Sequence, residues 1–169
     1  MVSYHRSMCL FSGNILHGVV ELIPYQSMEI ALARFFGSYN TNTVVPNVSW
    51  GLGLHECDLL CVTNSGYATE IEIKMSKADM KADLEKRHKH ESHKIKYLFF
   101  AIPEQLYVYQ SLVPEKAGII TVSDKEKCTM RRMAIKNGAR KLSDKELIHL
   151  GYLASKRVWK LKERINNGR

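Results

Sequence analysis

Cysteine is scarce in this chain, and the four that occur, at 9, 57, 61 and 128, form no Cys-x-x-Cys pair. Cys57 and Cys61 are four residues apart on one extended segment, a span of about 13 Å, too far to share a zinc ion. Neither a disulfide framework nor a structural zinc site is expected, and the thiols read as small buried hydrophobes in a reducing compartment. No apolar run reaches the roughly 18 residues that cross a bilayer. Residues 1–23 are interrupted by His5, Arg6, Ser12, Asn14, His17 and Glu21, so the continuous apolar region of a signal peptide is missing. The expectation is a soluble, cytoplasmic protein with no membrane partner. Internal repeats, low-complexity segments and an evident linker are also absent, so 169 residues read as a single domain, 1–169. With 45% hydrophobic and 25% charged residues, wholesale disorder is excluded.

Acid is what the C-terminal part has little of. After residue 123 there are fourteen Lys and Arg against five Asp and Glu, whereas the first 123 residues hold eleven against twelve. A near-neutral core thus carries a basic segment, and its natural partner is a polyanion, nucleic acid ahead of membrane. A merely solvated basic surface is the alternative.

The chain is organised around residues 54–84. Two strand-forming runs, Cys57–Thr63 and Tyr67–Lys74, are joined by Asn64-Ser65-Gly66, residues that tolerate a hairpin turn. In the second run Glu70, Glu72 and Lys74 alternate with Thr69, Ile71 and Ile73, so the three charged residues share a face. Antiparallel pairing brings the Asp58 end of the first run to the Lys74 end of the second. Two carboxylates beside a lysine can hold a hard divalent cation and orient a water molecule.

Asp58, followed fourteen residues on by Glu72-Ile73-Lys74 and then a helix, resembles the PD-(D/E)xK nuclease signature. The texts ECDLLCV, EIEIKMSKADMKADL, KYLFFAIPEQL and AGIITV are similar to compact bacterial and phage members of that superfamily. The resemblance covers roughly residues 25–123; Cys57 stands where the family name has its proline. It implies an α/β fold with a restriction-endonuclease-like core, a mixed central sheet flanked by helices in αβββαβ order. It also implies Mg²⁺ or Mn²⁺ held by Asp58, Glu72 and the Ile73 carbonyl, with Lys74 positioning or deprotonating water. The first core helix of such proteins often adds an acid, which makes Glu29 a candidate ligand; an ordinary exposed glutamate is the alternative. Glu56 and Glu70, two residues from the chosen acids, are the competing assignments.

The rest of the chain reads around that hairpin. Gln26 onward is a helix with Ser27 as its cap and Gly37 as its close, burying Met28, Leu32, Phe35 and Phe36. Thr41–Val48 is a strand whose Pro46 indicates an edge or a bulge. Trp50-Gly51-Leu52-Gly53 is a loop, either a structural turn or an approach to substrate. Ser76 and Asp79 cap a helix running to about His90, with Lys77 and Lys81 on one face toward substrate or paired with Asp83 and Glu85. His88, His90 and His93 fit no standard zinc spacing. Ile95–Ala101 is a buried central strand, Pro103–Leu106 starts a short helix, and Ala117–Val122 is a further strand. Residues 124–169 are expected to be a basic helical extension packed on the 25–123 core. Its first helix, ending at Asn137-Gly138, carries Arg131 and Arg132. Its second, capped by Ser143 and Glu146, has an apolar stripe Leu147–Leu150–Ala154–Val158–Leu161–Ile165 and a basic face Lys156–Lys160–Arg164.

These readings point to a metal-dependent DNA nuclease, structure- or end-directed rather than sequence-specific, with Lys77, Lys81, Arg131, Arg132, Lys156, Lys160 and Arg164 touching nucleic acid. A catalytically inactive nucleic-acid-binding module of the same fold, in a repair or phage complex, is the alternative. A homodimer is left open.

Overall fold

The computed structural model describes residues 22–37, 41–48, 52–85 and 92–168. Six strands form one mixed sheet in sequence order: β1 (Asn42–Val48), β2 (Cys57–Thr63), β3 (Ala68–Ile73), β4 (Ile95–Pro103), β5 (Gly118–Val122) and β6 (Cys128–Arg132). The β1–β2, β2–β3 and β5–β6 pairs are antiparallel, while β3–β4 and β4–β5 are parallel. Among the described residues, three α-helices, α1 (Tyr25–Phe35), α2 (Lys77–Leu84) and α3 (Asp144–Asn166), and a 3-10 segment, Glu104–Leu112, complete a mixed α/β fold.

Local chemistry accounts for most of these elements. Gly66, at φ 83°, closes the β2–β3 hairpin, and its N–H donates to Thr63 at 2.8 Å. Pro46 is accommodated because β1 lies at the sheet edge. The central strand β4 is buried along its second half, between β3 and β5. Ser76 Oγ accepts the Asp79 N–H at 3.1 Å and caps α2, while Asp79 Oδ2 reaches one residue further back, to the Met75 N–H. Ser143 and Glu146 form the reciprocal capping box of α3. Ser27, by contrast, lies inside the first turn of α1, which starts after Pro24 without a side-chain cap.

One face of the sheet packs Met28, Ala31 and Leu32 of α1 against Leu59, Ile71, Ile73 and Ala101. Two further clusters hold Leu150 of α3 on Val45, Leu60 and Val62, and Met80 of α2 on Phe100 and Ile102. Phe35 stays 42% exposed, outside the expected core.

The largest departure lies after β5. The segment read as a basic helix is a turn followed by strand β6, which carries Arg131 and Arg132. Glu126 takes a positive φ of 57°, and Ser123 and Lys127 pair across the turn at 3.0 Å. β5 would otherwise leave a backbone edge unpaired; Cys128 and Met130, alternating with outward residues, pack on the core and complete it. Residues 134–143 then cross the sheet without regular structure, Asn137 N–H donating to Lys96 and Leu142 N–H to Gly66, each at 2.9 Å. The helix read to His90 is described only as far as Glu85, and His88, His90, Trp50 and Gly51 lie outside the described residues. Along α3 only the N-terminal part of the expected stripe is covered: Leu150 is buried, whereas Val158, Leu161 and Ile165 are more than half exposed. The helix outruns the sheet it packs on.

Candidate functional site

The β2–β3 ladder ends at the Leu59–Ile71 pair. The next residues in register are Asp58 and Glu72, and there the backbone pairing gives way to a side chain. Asp58 Oδ2 accepts the Ile73 N–H at 2.7 Å. An extended residue points its N–H and C=O to the same side, so the Ile73 carbonyl also turns toward Asp58. β3 stays joined to β4 past this point, since the Lys74 N–H donates to Ala101 at 2.9 Å. The strands therefore part on one side only, and a cleft of about 570 Å³ opens there.

Asp58, Glu72, Ile73 and Lys74 line it from the sheet. Tyr25 of α1, His55 and Glu56 before β2, and Met75 and Asp79 at the start of α2 complete the walls. Tyr25 stands close to Asp58; burial first, then the Asp58 and Glu29 charges, hold its hydroxyl well above the ordinary phenol range.

Lys74 is buried, with its ammonium 2.8 Å from both Glu72 Oε2 and Asp83 Oδ1. Burial alone draws that ammonium toward neutrality, but Glu72 and Asp83 overcome it and hold its pKa above the ordinary value. A lysine so paired keeps its proton at neutral pH; it acts as a charge and a donor, not as a base. Glu72 moves the unexpected way for a salt-bridged acid. Burial, with Asp58 and Glu70 nearby, outweighs Lys74 and raises its carboxyl above 4.5. The site carries more negative charge than its one lysine balances.

The other expected residues fall at different distances from this centre. Glu29 does not line the cleft, but burial and Asp58 raise its carboxyl, and the Asn47 amide donates to it at 3.4 Å. Glu56 is exposed at the rim. Glu70 turns inward, fully buried, with its Oε1 2.7 Å from His55 Nε2. Lys77 and Lys81 are exposed on α2, and the Lys77 ammonium sits 4.6 Å from the Tyr109 ring. Arg131 is spent on Glu104 at 2.5 Å, Thr121 at 3.0 Å and the Tyr107 ring. Arg132 donates to the carbonyls of Val113, Pro114 and Ala117. Both arginines hold β6 to its surroundings. Lys160 and Arg164 line a second cleft, beside Glu56, and Lys156 is exposed without lining either cleft.

Sequence reading missed Tyr25, His55, Asp79, Asp83 and Arg157 as site neighbours. His55-Glu56 directly precedes the Asp58 strand, and Asp83 falls one helical turn beyond Asp79 on α2; those spacings were the available signals. Nothing local marks Tyr25, which is brought in by α1 packing.

Among the described residues no three His, Cys, Asp or Glu side chains form a ready metal cage. Two carboxylates and a carbonyl nevertheless suit Mg²⁺, which keeps several of its waters and takes only one or two protein carboxylates. The raised Glu72 carboxyl fits such a set, because a divalent cation would offset the burial and the neighbouring acids that raise it.

No protein-family model matches the chain, and no curated protein matches it. A solved structure, the SPO1766 protein of unknown function from Silicibacter pomeroyi, is similar in fold. It has a TM-score of 0.62 and 19% sequence identity, covering 88% of this chain and 95% of that one. No described helix is long and apolar enough to cross a membrane.

Proposed function

We propose that this chain is a metal-dependent nuclease of the PD-(D/E)xK type, hydrolysing phosphodiester bonds in DNA. The observation that carries the reading is one cleft lined by Asp58, Glu72, Ile73 and Lys74 where β2 and β3 separate. The order α1-β1-β2-β3-α2-β4, with β3 and β4 parallel, supports a restriction-endonuclease-like core. Asp58, Glu72 and the Ile73 carbonyl would hold Mg²⁺ or Mn²⁺, which supplies charge against the reacting phosphate and makes water more acidic. The Ile73 N–H fixes the Asp58 carboxylate in place, and Tyr25 lines the cleft beside it. Lys74, keeping its proton, donates to the attacking water or to a phosphate oxygen and adds positive charge at the reacting centre. With no recognition module in the sequence, the substrate is read by its structure or its ends.

The Lys74–Asp83 contact supports a second reading, a buried structural pair in a non-catalytic nucleic-acid binder. Supercoiled, linear and branched DNA incubated with Mg²⁺, Mn²⁺ or EDTA separates the two. The nuclease cuts at least one substrate with metal and none in EDTA; a protein that binds DNA but cuts none of them is the binder.

A further inference from the structure

The face that α3 turns to the protein changes character along its length. Leu150, Leu153 and Ala154 pack on Val45, Leu60 and Val62. At the same helical angles, one to four turns on, stand Arg157, Lys160, Leu161 and Arg164. Here the helix has run past the sheet, and these residues form one wall of a cleft of about 400 Å³. Asn47 and Glu56 form the other wall, and Glu56 also lines the Asp58–Lys74 cleft, so the two cavities adjoin.

The three cations differ in what they already hold. Arg157 donates to the carbonyls of Pro46 and Asn47, which ties α3 to the end of β1. Lys160 and Arg164 make no hydrogen bond or ion pair with any described residue. Lys160 and Arg164 are exposed to solvent in this cleft, one helical turn apart, and as unpartnered cations they repel each other and Arg157 when nothing lies between them. A tetrahedral oxyanion offers acceptors to both at once.

We propose that this cleft is a phosphate subsite, holding a backbone phosphate that neighbours the one in the Asp58–Lys74 cleft. The proposal rests on the nuclease reading for its direction and deepens it: the substrate is a strand gripped at two phosphates, not a mononucleotide. Lys160 and Arg164 contact the phosphate oxygens, Arg157 fixes the wall, and Asn47 donates from the opposite side. The phosphate is either an internal diester or a terminal monoester, which present the same oxygens.

The test measures binding without cleavage. Labelled duplex and single-stranded oligonucleotides, each with and without a 5′ phosphate, are titrated in Ca²⁺ over a range of salt. The full chain is compared with Lys160→Ala/Arg164→Ala and with a control of equal charge change on exposed residues elsewhere, Lys125→Ala/Lys136→Ala. The cleft variant should weaken duplex binding by roughly tenfold or more and flatten the log–log salt slope by about 1.8, two contacts at about 0.9 each. The control should leave the slope within a few tenths of wild type. A monoester subsite shows the loss only on 5′-phosphorylated strands, a diester subsite on all. Equal effects of the two variants, or none from the cleft variant, overturn the subsite. The nuclease reading fails differently: the cleft variant weakens binding as expected, yet the wild type cuts nothing in Mg²⁺ or Mn²⁺.

Discussion

Two buried lysines, Lys74 and Lys94, sit at opposite kinds of site although they are 4% and 8% exposed. Lys94 donates to the Leu52 carbonyl and to Glu146 at 2.9 Å. Glu146 also takes the Arg140 guanidinium on both oxygens and the Ser143 N–H, each at 2.7 Å. There one carboxylate serves two cations and a helix cap, and its pKa falls well below the carboxylate range, through Arg140 first. Around Lys74, Glu72 and Asp83 share one ammonium, and burial first, with Asp58 and Glu70 adding to it, raises the Glu72 carboxyl instead. The same pair of residue types ends with opposite charge balance. The first arrangement closes a structure; the second leaves Asp58 and Glu72 lining a cleft with one shared lysine, where a divalent cation would offset their charge.

The largest effect should come from the acids. Asp58→Ala or Glu72→Ala should lower metal-dependent DNA cleavage by roughly 1,000-fold or more while leaving the circular dichroism spectrum unchanged. Two variants that both cut at the wild-type rate would move the centre to Glu56 or Glu70. Next is Lys74→Met, expected to slow single-turnover cleavage by roughly 100-fold while affinity for DNA in Ca²⁺ shifts by less than about tenfold. A defect confined to affinity would reduce Lys74 to a phosphate contact.

The Lys94 side should respond in stability alone. Lys94→Met should cost roughly 2–3 kcal/mol in urea unfolding, below the 3–5 of a fully isolated buried pair because Arg140 still faces Glu146, with the cleavage rate per folded molecule unchanged. The smallest effect is a pH dependence. Glu146 has its carboxyl lowered by folding from an ordinary 4.5, so its contribution is complete above that value and fades as pH falls through the folded value. Wild type should therefore melt above Glu146→Gln at pH 7, and the gap should narrow steadily below pH 4.5. A gap that is constant with pH would mean that Glu146 acts through packing, not charge.

Much of this was legible in the sequence because local chemistry determined it. The Gly66 turn, the Ser76 and Ser143 caps and the alternation in β3 each encode one element within a few residues, and Asp58, Glu72, Ile73 and Lys74 follow from the hairpin they share. What was hidden depends on distant partners. Residues 125–137 were read as helix because their lysines, arginines and methionines suit either state; the unpaired edge of β5 decides the matter for 128–132, and that edge is invisible from the segment itself. Arg131 and Arg132 were read as phosphate contacts, and nothing in the sequence signals that their Nε and Nη2 groups donate to Glu104, Thr121 and the 113–117 carbonyls. The α3 stripe was continuous in sequence, but the sheet beneath it ends near Ala154.

Mn²⁺ binding tests the contrast between the two lysine sites most directly, followed by isothermal titration calorimetry on wild type, Glu72→Gln and Glu146→Gln. Wild type and Glu146→Gln should bind the ion alike, and Glu72→Gln should bind it at least roughly tenfold more weakly, since one remaining carboxylate holds a hydrated divalent cation poorly. Wild type that binds no Mn²⁺, or three proteins that bind it equally, would contradict the account.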